Sequence, residues 1–583
     1  MKTLIPGSKD STAQNAVVSD ERGVVGLETR VSAESSFLPS AIRPPALIVV
    51  VLALAVLVWG IQTGAGAAKA GFGAYPDEPS HFLSAVMIHD YIVSPLHKAP
   101  MAHAMAYYVY RPFFAVGYWP PVFYLMEALW MVVFGVGRSQ AVAFVFLEAV
   151  LLATSAALVA RRWVDTWTGL AIGALLMLLP VMQWSSSVVM TDLTVAMFAF
   201  WATLSLGKYF DRDSWRSAMA FGVFAGLALL SKYLAGFLAF LPVVALLSMR
   251  RFDLLRKGTF WLQPLVVALM IGPWFWPTRH LMSLGFSEYK PEPFEVRVRM
   301  LSASMWHGLS GPLCVVLALA WVYSMVNWRR LTNGDRVLLL QPLVVTAFLL
   351  FDPTGLELRH FLPAFPCLVL ALPMSLSLLR SRFRADTFRV AAPFAAAVLV
   401  VLYGFWSWQR FKPLPGQETR AAVAWLSGNN DLRDSAILLP TDWEGPMISE
   451  FAISESSPAH HILVRPTKYL ANEDWLGIRY RPIYSSAAEL SAALRQSPLR
   501  AVVVAPDCKP VWPHDQMLNQ VLNDPESGWS AAGTFPAPNG CILKLYQRAP
   551  SSDNDMKIAY AYFEAKLGSE IHRLDTKTPS TTP

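Results

Sequence analysis

Two adjacent carboxylates, Asp77 and Glu78, follow the first long apolar segment of the chain, and the other apolar segments come after them. His81 stands four positions after Asp77, so the two side chains would share one face of a helix. Acidic side chains at the edge of a membrane domain are costly and typically functional. Such a pair can act as a general base, or hold a metal ion or a hydroxylated acceptor. The structural alternative is a helix N-terminus, which Pro-Asp-Glu-Pro is well suited to begin.

Three further positions place charge beside apolar sequence. Asp192 stands at the start of an otherwise apolar segment that predicts a helix. It would either cap this helix or act as a second acid that faces Asp77 across a cavity. Lys232 lies between two short apolar blocks, where it either snorkels to the interface or pairs with a phosphate or an acid. Arg359, followed by His360, suits bidentate phosphate binding, with an interface anchor as the alternative. Acids and cations at one membrane surface indicate a lipid-linked phosphate substrate.

The elements that must position these side chains are transmembrane helices. The chain is 54% hydrophobic and only 15% charged, whereas soluble domains carry about 25% charged residues. The apolar residues form about 12 blocks, which predicts a polytopic α-helical membrane protein of about 11–13 spans. The net charge of +7 comes from short basic clusters between the blocks. Such clusters are typical of cytoplasmic loops, so we expect membrane lipids and no nucleic acid as partners.

The membrane domain is predicted at 43–409, with a first outer loop at 64–118. Residues 1–42 are polar and Ser-rich, which predicts a disordered cytoplasmic tail without a cleavable signal peptide. Within the outer loop, Phe82–Val93 has helical spacing and predicts an amphipathic helix lying in the interface.

The orientation follows from basic clusters in short loops, which are cytoplasmic. This rule places the first outer loop, Asp192 and everything after about residue 408 outside. An even number of crossings must then separate the outer loop from Asp192, but three apolar blocks do so: 119–137, 140–160 and 168–186. One block must therefore be re-entrant or interfacial, or two blocks must form one irregular span. Because the third block contains a proline and ends in a polar run, we expect it to be the one that does not cross.

Residues 410–550 have ordinary soluble composition, and helical patterns alternate there with short β runs. This alternation predicts a small extracytoplasmic α/β domain, followed by a polar tail at 551–583. The β runs are Ala436–Leu439, Ile462–Val464, Ala501–Ala505 and Ile542–Tyr546. Cys508 and Cys541 could form a disulfide outside the cell, although spacing alone does not establish their proximity. The run Asp442–Glu444 resembles sugar-contacting side chains, with a surface turn as the alternative.

The order of these motifs resembles that of the membrane glycosyltransferases that use lipid-phosphate sugars. These enzymes have the GT-C fold and include family 39, the protein O-mannosyltransferases and the aminoarabinose transferases. The resemblance covers about residues 45–410. The matching stretches are Tyr75–His81, Pro120–Tyr124, Met190–Asp192, Leu230–Tyr233 and Arg359–Pro366.

The resemblance implies roles for the acids. Asp77 would be the catalytic carboxylate that deprotonates or orients the acceptor hydroxyl, with Glu78 in support. Asp192 would be the second acid, near the donor phosphate or a divalent metal. Asp77 and Asp192 could supply oxygen ligands to magnesium or manganese. No full ligand set is readable, however, so no cofactor is predicted with certainty.

The resemblance also implies binding roles. Lys232, Arg359 and His360 would bind the phosphate of a polyprenyl carrier. The residues expected to contact substrate are Tyr75, His81 and Tyr233. Two positions depart from the family pattern: Trp119 replaces a histidine before the Pro-Pro pair, and His360 replaces a tyrosine. The first departure affects the expected acceptor contacts.

The sequence therefore predicts a glycosyltransferase of the inner (plasma) membrane. It would transfer a hexosyl or pentosyl group from a polyprenyl-phosphate donor to a glycan, lipid or protein acceptor outside the cell. A transporter or flippase for a lipid-linked or anionic solute is the alternative, although such proteins usually show internal repeats, and this sequence has none that we detect. A structural protein would have no use for the acid pair. The sugar and the acceptor stay open.

Overall fold

The computed structural model describes most of the chain from Pro44 to Leu574. The described ranges are 44–95, 99–114, 117–286, 292–352, 356–380, 385–455, 459–472, 480–509, 511–549 and 556–574. The tail predicted at 1–42 lies outside these residues, as does most of the tail predicted at 551–583. Part of that second tail, Met556–Leu574, forms a helix.

Sixteen helices make up the membrane half of the described chain. They are α1 (Pro44–Ala65), α2 (Glu78–Val93), α3 (Pro100–Tyr110), α4 (Val122–Phe134), α5 (Arg138–Ala160), α6 (Thr166–Leu178), α7 (Pro180–Ser185), α8 (Asp192–Arg212), α9 (Trp215–Leu229), α10 (Leu241–Met249), α11 (Gly258–Phe286), α12 (Phe294–Leu309), α13 (Gly311–Val326), α14 (Asn333–Phe351), α15 (Phe365–Arg380) and α16 (Ala385–Trp408).

Seven described helices are long and apolar enough to cross a membrane. The pair α12–α13, bent by 109°, can form an eighth crossing. Three shorter apolar segments, Thr166–Leu178, Trp215–Leu229 and Tyr233–Met249, bring the count that we infer to eleven. The prediction of a polytopic helical membrane protein is confirmed, and the crossings fall at the lower end of the expected range.

The fourth short apolar helix, α4, does not add a crossing. Near its start the Tyr124 hydroxyl lies 2.8 Å from His81 Nδ1. Four residues after its end, Arg138 lies 2.8 Å from Glu78. Both ends of α4 thus return to the first turn of α2, on the same side of the membrane half.

The contacts of α4 therefore favour 119–137, and not 168–186 as expected, as the block that does not cross. The proline in that block begins a second short helix, α7, instead of ending the crossing. Ser186, just after α7, accepts a 2.7 Å hydrogen bond from Gln62 near the outer end of α1. On this reading α5 and the pair α6–α7 are the two crossings between the first outer loop and Asp192, which is the even number that the sequence requires.

Helix α2 differs from the predicted interfacial helix. It forms where expected, but it begins at Glu78 and buries Phe82, Leu83 and Val86. It packs between α4 and the outer domain. Its apolar side chains therefore contact protein on several sides, and the helix connects the membrane half to the outer domain.

The outer domain is the predicted α/β unit. Its described elements are α17 (Arg420–Gly428), β1 (Ser435–Leu438), α18 (Glu444–Ser454), β2 (His461–Val464), α19 (Pro466–Tyr469), β3 (Ala471–Asn472), β4 (Arg481–Pro482), α20 (Ala487–Gln496), β5 (Leu499–Val504), α21 (Pro513–Asn523), β6 (Ser530–Pro536), β7 (Ile542–Gln547) and α22 (Met556–Leu574). Five strands form one sheet in the order β2-β1-β5-β7-β6. Strand β1 is parallel to β2 and β5, whereas β7 is antiparallel to β5 and β6.

All four predicted β runs correspond to strands of this sheet. Strand β6 was missed because it is an edge strand with mostly half-exposed or exposed residues, so its sequence lacks an apolar run. Cys508 and Cys541 are joined by a disulfide, with their Cα atoms 5.6 Å apart. This bond ties the segment after β5 to the start of β7.

Candidate active site

Arg359 links the two acids that the sequence singled out. Its Nη2 lies 3.5 Å from Asp77 Oδ2, and its Nη1 lies 3.6 Å from Asp192 Oδ2. Lys232 Nζ contacts the other oxygen of Asp192 at 2.7 Å. We call Asp77, Asp192, Lys232 and Arg359 the Arg359 cluster. Four positions spread over 283 residues of sequence therefore meet in one place.

Tyr75 and Glu357 hold the guanidinium of Arg359 in place. Arg359 Nε lies 2.9 Å from Glu357 Oε2, and Nη2 donates to the Tyr75 hydroxyl at 2.8 Å. That hydroxyl donates in turn to Glu357 Oε1 at 2.7 Å, and the guanidinium carbon lies 4.1 Å from the centre of the tyrosine ring. Glu357 was not predicted. Its only sequence signal is an acid two residues before the arginine.

The ends of helices present the cluster. Asp77 is the N-cap residue of α2, but its side chain makes no capping hydrogen bond and contacts Arg359 instead. Asp192 opens α8. Lys232 follows α9 in extended conformation, with φ −161° and ψ 140°, just before the 3₁₀ helix Tyr233–Ala239. The side chain of Asp77 therefore does not cap α2 in this structure.

Asp192 is buried between two cations. Its side chain is 1% exposed, and its two oxygens lie against Lys232 and Arg359, whose side chains are 9% and 8% exposed. Buried charges at such a position are stable only when they are paired. Asp192 therefore balances the cations, and removing it would leave both with less compensation.

Asp77 differs from Asp192 in exposure. Its side chain is 32% exposed. Its partly buried surroundings desolvate the carboxyl group and raise its pKa, and Arg359 and then Lys232 partly oppose this rise. A carboxylate that is accessible and has a raised pKa fits a general base better than a structural ion pair does.

Glu78 lies in a different environment from its neighbour. Its carboxylate is fully buried, contacts Arg138 at 2.8 Å and accepts a 3.0 Å hydrogen bond from the Val189 N–H. Arg138 Nε also donates to the Ala67 carbonyl at 2.9 Å. These contacts bind the first turn of α2 to α5 and to the segment before α8. Glu78 thus contacts the scaffold behind the site, and we assign it a positioning role.

His81 lies one helical turn after Asp77, as expected, and its backbone N–H donates to the Asp77 carbonyl at 3.0 Å. Its Nδ1 is 2.8 Å from the Tyr124 hydroxyl, and its ring centre is 5.3 Å from that of Trp119. Burial lowers the pKa of His81 to about 3, so the ring is neutral near pH 7. Trp119, at the position that departs from the family pattern, therefore lines the same region.

His360 and Tyr233 complete the predicted set. His360 is 8% exposed, and its Nδ1 has no hydrogen-bond partner within the described ranges. The Tyr233 hydroxyl donates to the Tyr118 carbonyl in the segment before α4, and its ring lies 5.6 Å from that of Phe275. Tyr233 thus contacts the segment before α4 and helix α11. His360 is next to Arg359 in the chain.

The cluster does not fit a divalent metal ion. No group of three or more His, Cys, Asp or Glu side chains in the described part of the chain could hold one. Both oxygens of Asp192 face cationic nitrogens, which occupy the directions that a metal would need and repel it. We therefore derive no step through a metal.

Comparisons with known proteins agree with this architecture. Residues 119–276 match the family model described as dolichyl-phosphate-mannose-protein mannosyltransferase. The matched segment includes Trp119, Asp192 and Lys232. No curated protein sequence matches the chain.

Solved structures of low sequence identity share the fold. The crystal structure of apo ArnT from Cupriavidus metallidurans has a TM-score of 0.56 and 15% identity, and the match covers 88% of this chain and 98% of that one. The crystal structure of ArnT from the same organism bound to undecaprenyl phosphate has a TM-score of 0.54 and 15% identity. This match covers 86% of this chain and 98% of that one.

The archaeal oligosaccharyltransferase AglB from Archaeoglobus fulgidus, in complex with an inhibitory peptide and a dolichol-phosphate, gives a TM-score of 0.51 and 13% identity. This match covers 89% of this chain and 77% of that one. The protein is thus a multi-pass membrane protein with the GT-C fold of these membrane glycosyltransferases.

Proposed function

We propose that the protein is a membrane glycosyltransferase that uses a polyprenyl-phosphate sugar as donor and acts on the extracytoplasmic side of the inner membrane. The observation that carries this proposal is the position of Arg359 between the accessible Asp77 and the buried Asp192–Lys232 pair. Two proteins of the same fold were solved with undecaprenyl phosphate or dolichol-phosphate. Transfer of a sugar from a lipid phosphate to an acceptor hydroxyl requires a cationic site for the phosphate beside a base for the acceptor.

The donor phosphate would bind at the Lys232 side of the cluster. Arg359 Nη1 makes no hydrogen bond within the described residues, and His360 Nδ1 is also unpartnered there. Lys232 contacts Asp192 through Nζ, which has three donors in all. An incoming phosphate can therefore accept hydrogen bonds from these groups, while Asp192 keeps the two cations in position.

Asp77 would act as the general base. In a single displacement, an acceptor hydroxyl oxygen forms a bond to the anomeric carbon of the donor as its proton passes to Asp77. The bond from that carbon to the phosphate oxygen breaks, and its electron pair leaves with the polyprenyl phosphate. Arg359 and Lys232 stabilise the negative charge that develops on the phosphate. Attack opposite the leaving group inverts the anomeric carbon.

Glu78 would contribute by holding the first turn of α2. Its contact with Arg138 and its bond to the Val189 N–H fix the backbone next to Asp77. A catalytic base that is displaced even slightly loses much of its effect on the rate, so an anchor for the first turn of α2 is useful here. The sugar, hexosyl or pentosyl, and the acceptor, whether glycan, lipid or protein, are left open by these contacts.

Binding of undecaprenyl phosphate tests the donor site. We expect this lipid to raise the melting temperature of the purified full chain in nanodiscs, and we expect Lys232→Gln and Arg359→Gln to abolish that rise. Lys257→Gln, which removes an exposed lysine paired with Asp213, is the control and should respond like the wild type. An equal response in all three variants would overturn the assignment of the phosphate site.

A further inference from the structure

The outer domain has a second candidate site, at the carboxyl ends of its parallel strands. From β1 the chain runs to β2 on one side, and from β2 it crosses to β5 on the other side of β1. The strand order therefore reverses between β1 and β5. In open α/β sheets ligands bind in the crevice outside the carboxyl ends of the strands at such a point.

A shallow crevice, open to solvent, lies at this position. One wall is the segment directly after β1, and the other is formed by the segment after β5 and the start of α21. We call it the β1–β5 crevice. Its polar lining consists of Thr441, Asp442, Asp515 and Asn519. Cys508 also lines it, so the disulfide with Cys541 fixes one wall.

An aromatic pair, Tyr480 and Trp512, lies beside the lining residue Asp442, and we call this pair the rim. Trp512 Nε1 donates to Asp442 Oδ1 at 3.3 Å, and the ring centre of Tyr480 lies 5.1 Å from that of Trp512. Both residues are partly exposed. The Tyr480 hydroxyl lies 2.8 Å from His514 Nδ1, and His514 Nε2 lies 3.0 Å from the Thr441 hydroxyl. The rim and the floor therefore form one hydrogen-bonded unit.

The chemistry of the lining selects one class of ligand. Its ionisable side chains, Asp442 and Asp515, are acidic, and Asp515 accepts a 2.8 Å hydrogen bond from Thr441. Carboxylate, hydroxyl and amide groups beside an aromatic face suit a hydroxylated ring, whose polar edge accepts and donates hydrogen bonds and whose apolar face stacks. Acidic groups disfavour a phosphorylated ligand, because like charges repel.

The crevice is also directly connected to the loop that carries Asp77. Three residues after Asp442, Gly445 lies so close to α2 that a Cβ atom there would be 3.1 Å from Pro79 Cβ. Next to it, Glu444 contacts Arg465 and accepts a hydrogen bond from the Thr467 hydroxyl at 2.9 Å. The segment that continues from this wall of the crevice therefore packs against the residues that follow Asp77.

We infer that the β1–β5 crevice is a carbohydrate-binding site that holds a neutral or amine-bearing glycan of the acceptor while its hydroxyl is presented to Asp77. This inference rests on the proposed glycosyltransferase function for its role, but binding in the crevice can be measured by itself. A glycan held here would select which acceptors reach the cluster, whereas the donor phosphate site would be unaffected.

Saturation-transfer NMR on the full chain in nanodiscs tests the inference, with the methyl glycosides of mannose, galactose, glucosamine and N-acetylglucosamine as probes. We expect at least one probe to receive saturation from the wild type, and Trp512→Ala and Asp442→Asn to reduce that signal five-fold or more. Trp425→Ala is the matched control, because Trp425 is also partly exposed in the outer domain but packs near Phe535. It should retain the signal.

Three results would overturn the inference: no signal from any glycoside, equal signals in all variants, or a signal only from a Ser/Thr-containing peptide pool. The melting temperature of each variant shows that it is folded. The response to undecaprenyl phosphate, measured on the same samples, separates the two proposals. If Trp512→Ala loses the glycoside but keeps the lipid response, both proposals stand, and if the wild type binds the glycoside without a lipid response, only the donor site fails.

Discussion

Two ion pairs on opposite sides of one peptide bond differ in almost every physical respect. Glu78 contacts Arg138 at 2.8 Å, and their side chains are 0% and 1% exposed. Asp77 contacts Arg359 at the longer distance of 3.5 Å, and its side chain is 32% exposed. The first pair is dry, close and anchored to the scaffold. The second is looser, and its acid is partly exposed to solvent.

The difference shows how a membrane protein can use adjacent acids for separate purposes. A charge buried with its partner is costly to separate, so it fixes geometry. A charge that keeps part of its hydration can change its protonation state and its partner. We therefore expect variants of Asp77 to lose activity while staying folded, and variants of Glu78 to lose stability.

The largest expected effect is that of Asp77→Asn. Removing a general base lowers the rate by about 10²–10⁴-fold, and the amide keeps the size of the side chain. We expect sugar transfer to fall by about 10³-fold, with a melting temperature close to that of the wild type. The measurement is transfer by purified protein, or product formation in cells at matched expression. Normal transfer by this variant would exclude Asp77 as the base.

Glu78→Gln should act on stability. Breaking a buried ion pair leaves the other charge uncompensated and costs about 3–5 kcal/mol. We expect a lower melting temperature and poorer expression than for Asp77→Asn. The double variant Glu78→Gln with Arg138→Met removes both charges and should recover part of the loss. If Glu78→Gln is as stable as the wild type but inactive, the two acids share the chemistry and the contrast between them fails.

A smaller effect is expected for Lys232→Gln. A hydrogen bond to a charged group contributes about 1.5–3 kcal/mol, so the KM for the donor should rise by about 10–100-fold. Transfer at saturating donor should change less, since Asp77 is intact. Arg359→Lys keeps the charge but loses the forked geometry that reaches both acids, and it should resemble Lys232→Gln. An unchanged KM in both variants would argue against a phosphate in this position.

The pH dependence gives the smallest effect. Asp77 must be ionised to accept a proton, and burial raises the pKa of its carboxyl group above 3.8. The rate should therefore be constant at neutral pH and fall about tenfold per pH unit below that raised pKa. We call this fall the acid limb of the pH–rate profile. His81, with a pKa lowered to about 3, stays neutral near pH 7 and adds no second fall there. The acid limb should be absent from the residual activity of Asp77→Asn.

Much of this architecture could be predicted from the sequence because the relevant signals are local. Apolar blocks identify spanning helices wherever they occur, and alternating β runs identified four strands of the outer sheet. The edge strand β6 lacked that pattern and was missed. The interfacial assignment of Phe82–Val93 failed because the sequence does not show that α18 covers this helix. The proline of block 168–186 was expected to end a crossing, but it begins the second short helix α7. A proline can do either, so the sequence alone did not decide which block crosses.

The residue types of the site were also readable. Asp77, Asp192, Lys232 and Arg359 stand out because charges next to apolar blocks are costly and need a reason. The partners of Arg359 were not all readable, since Tyr75 and Glu357 are 282 positions apart. Nothing local indicates that the tyrosine hydroxyl and the glutamate would hold the same guanidinium.

The sequence by itself determined that the chain crosses a membrane, that an α/β domain follows, and which side chains are too costly there to be incidental. Composition and spacing are enough for this, because transfer into lipid depends on each segment alone. Only the tertiary structure decided which of two neighbouring acids is buried and which is accessible. That choice depends on the orientation of the first turn of α2, which Arg138 and Val189 fix from 60 and 111 positions away.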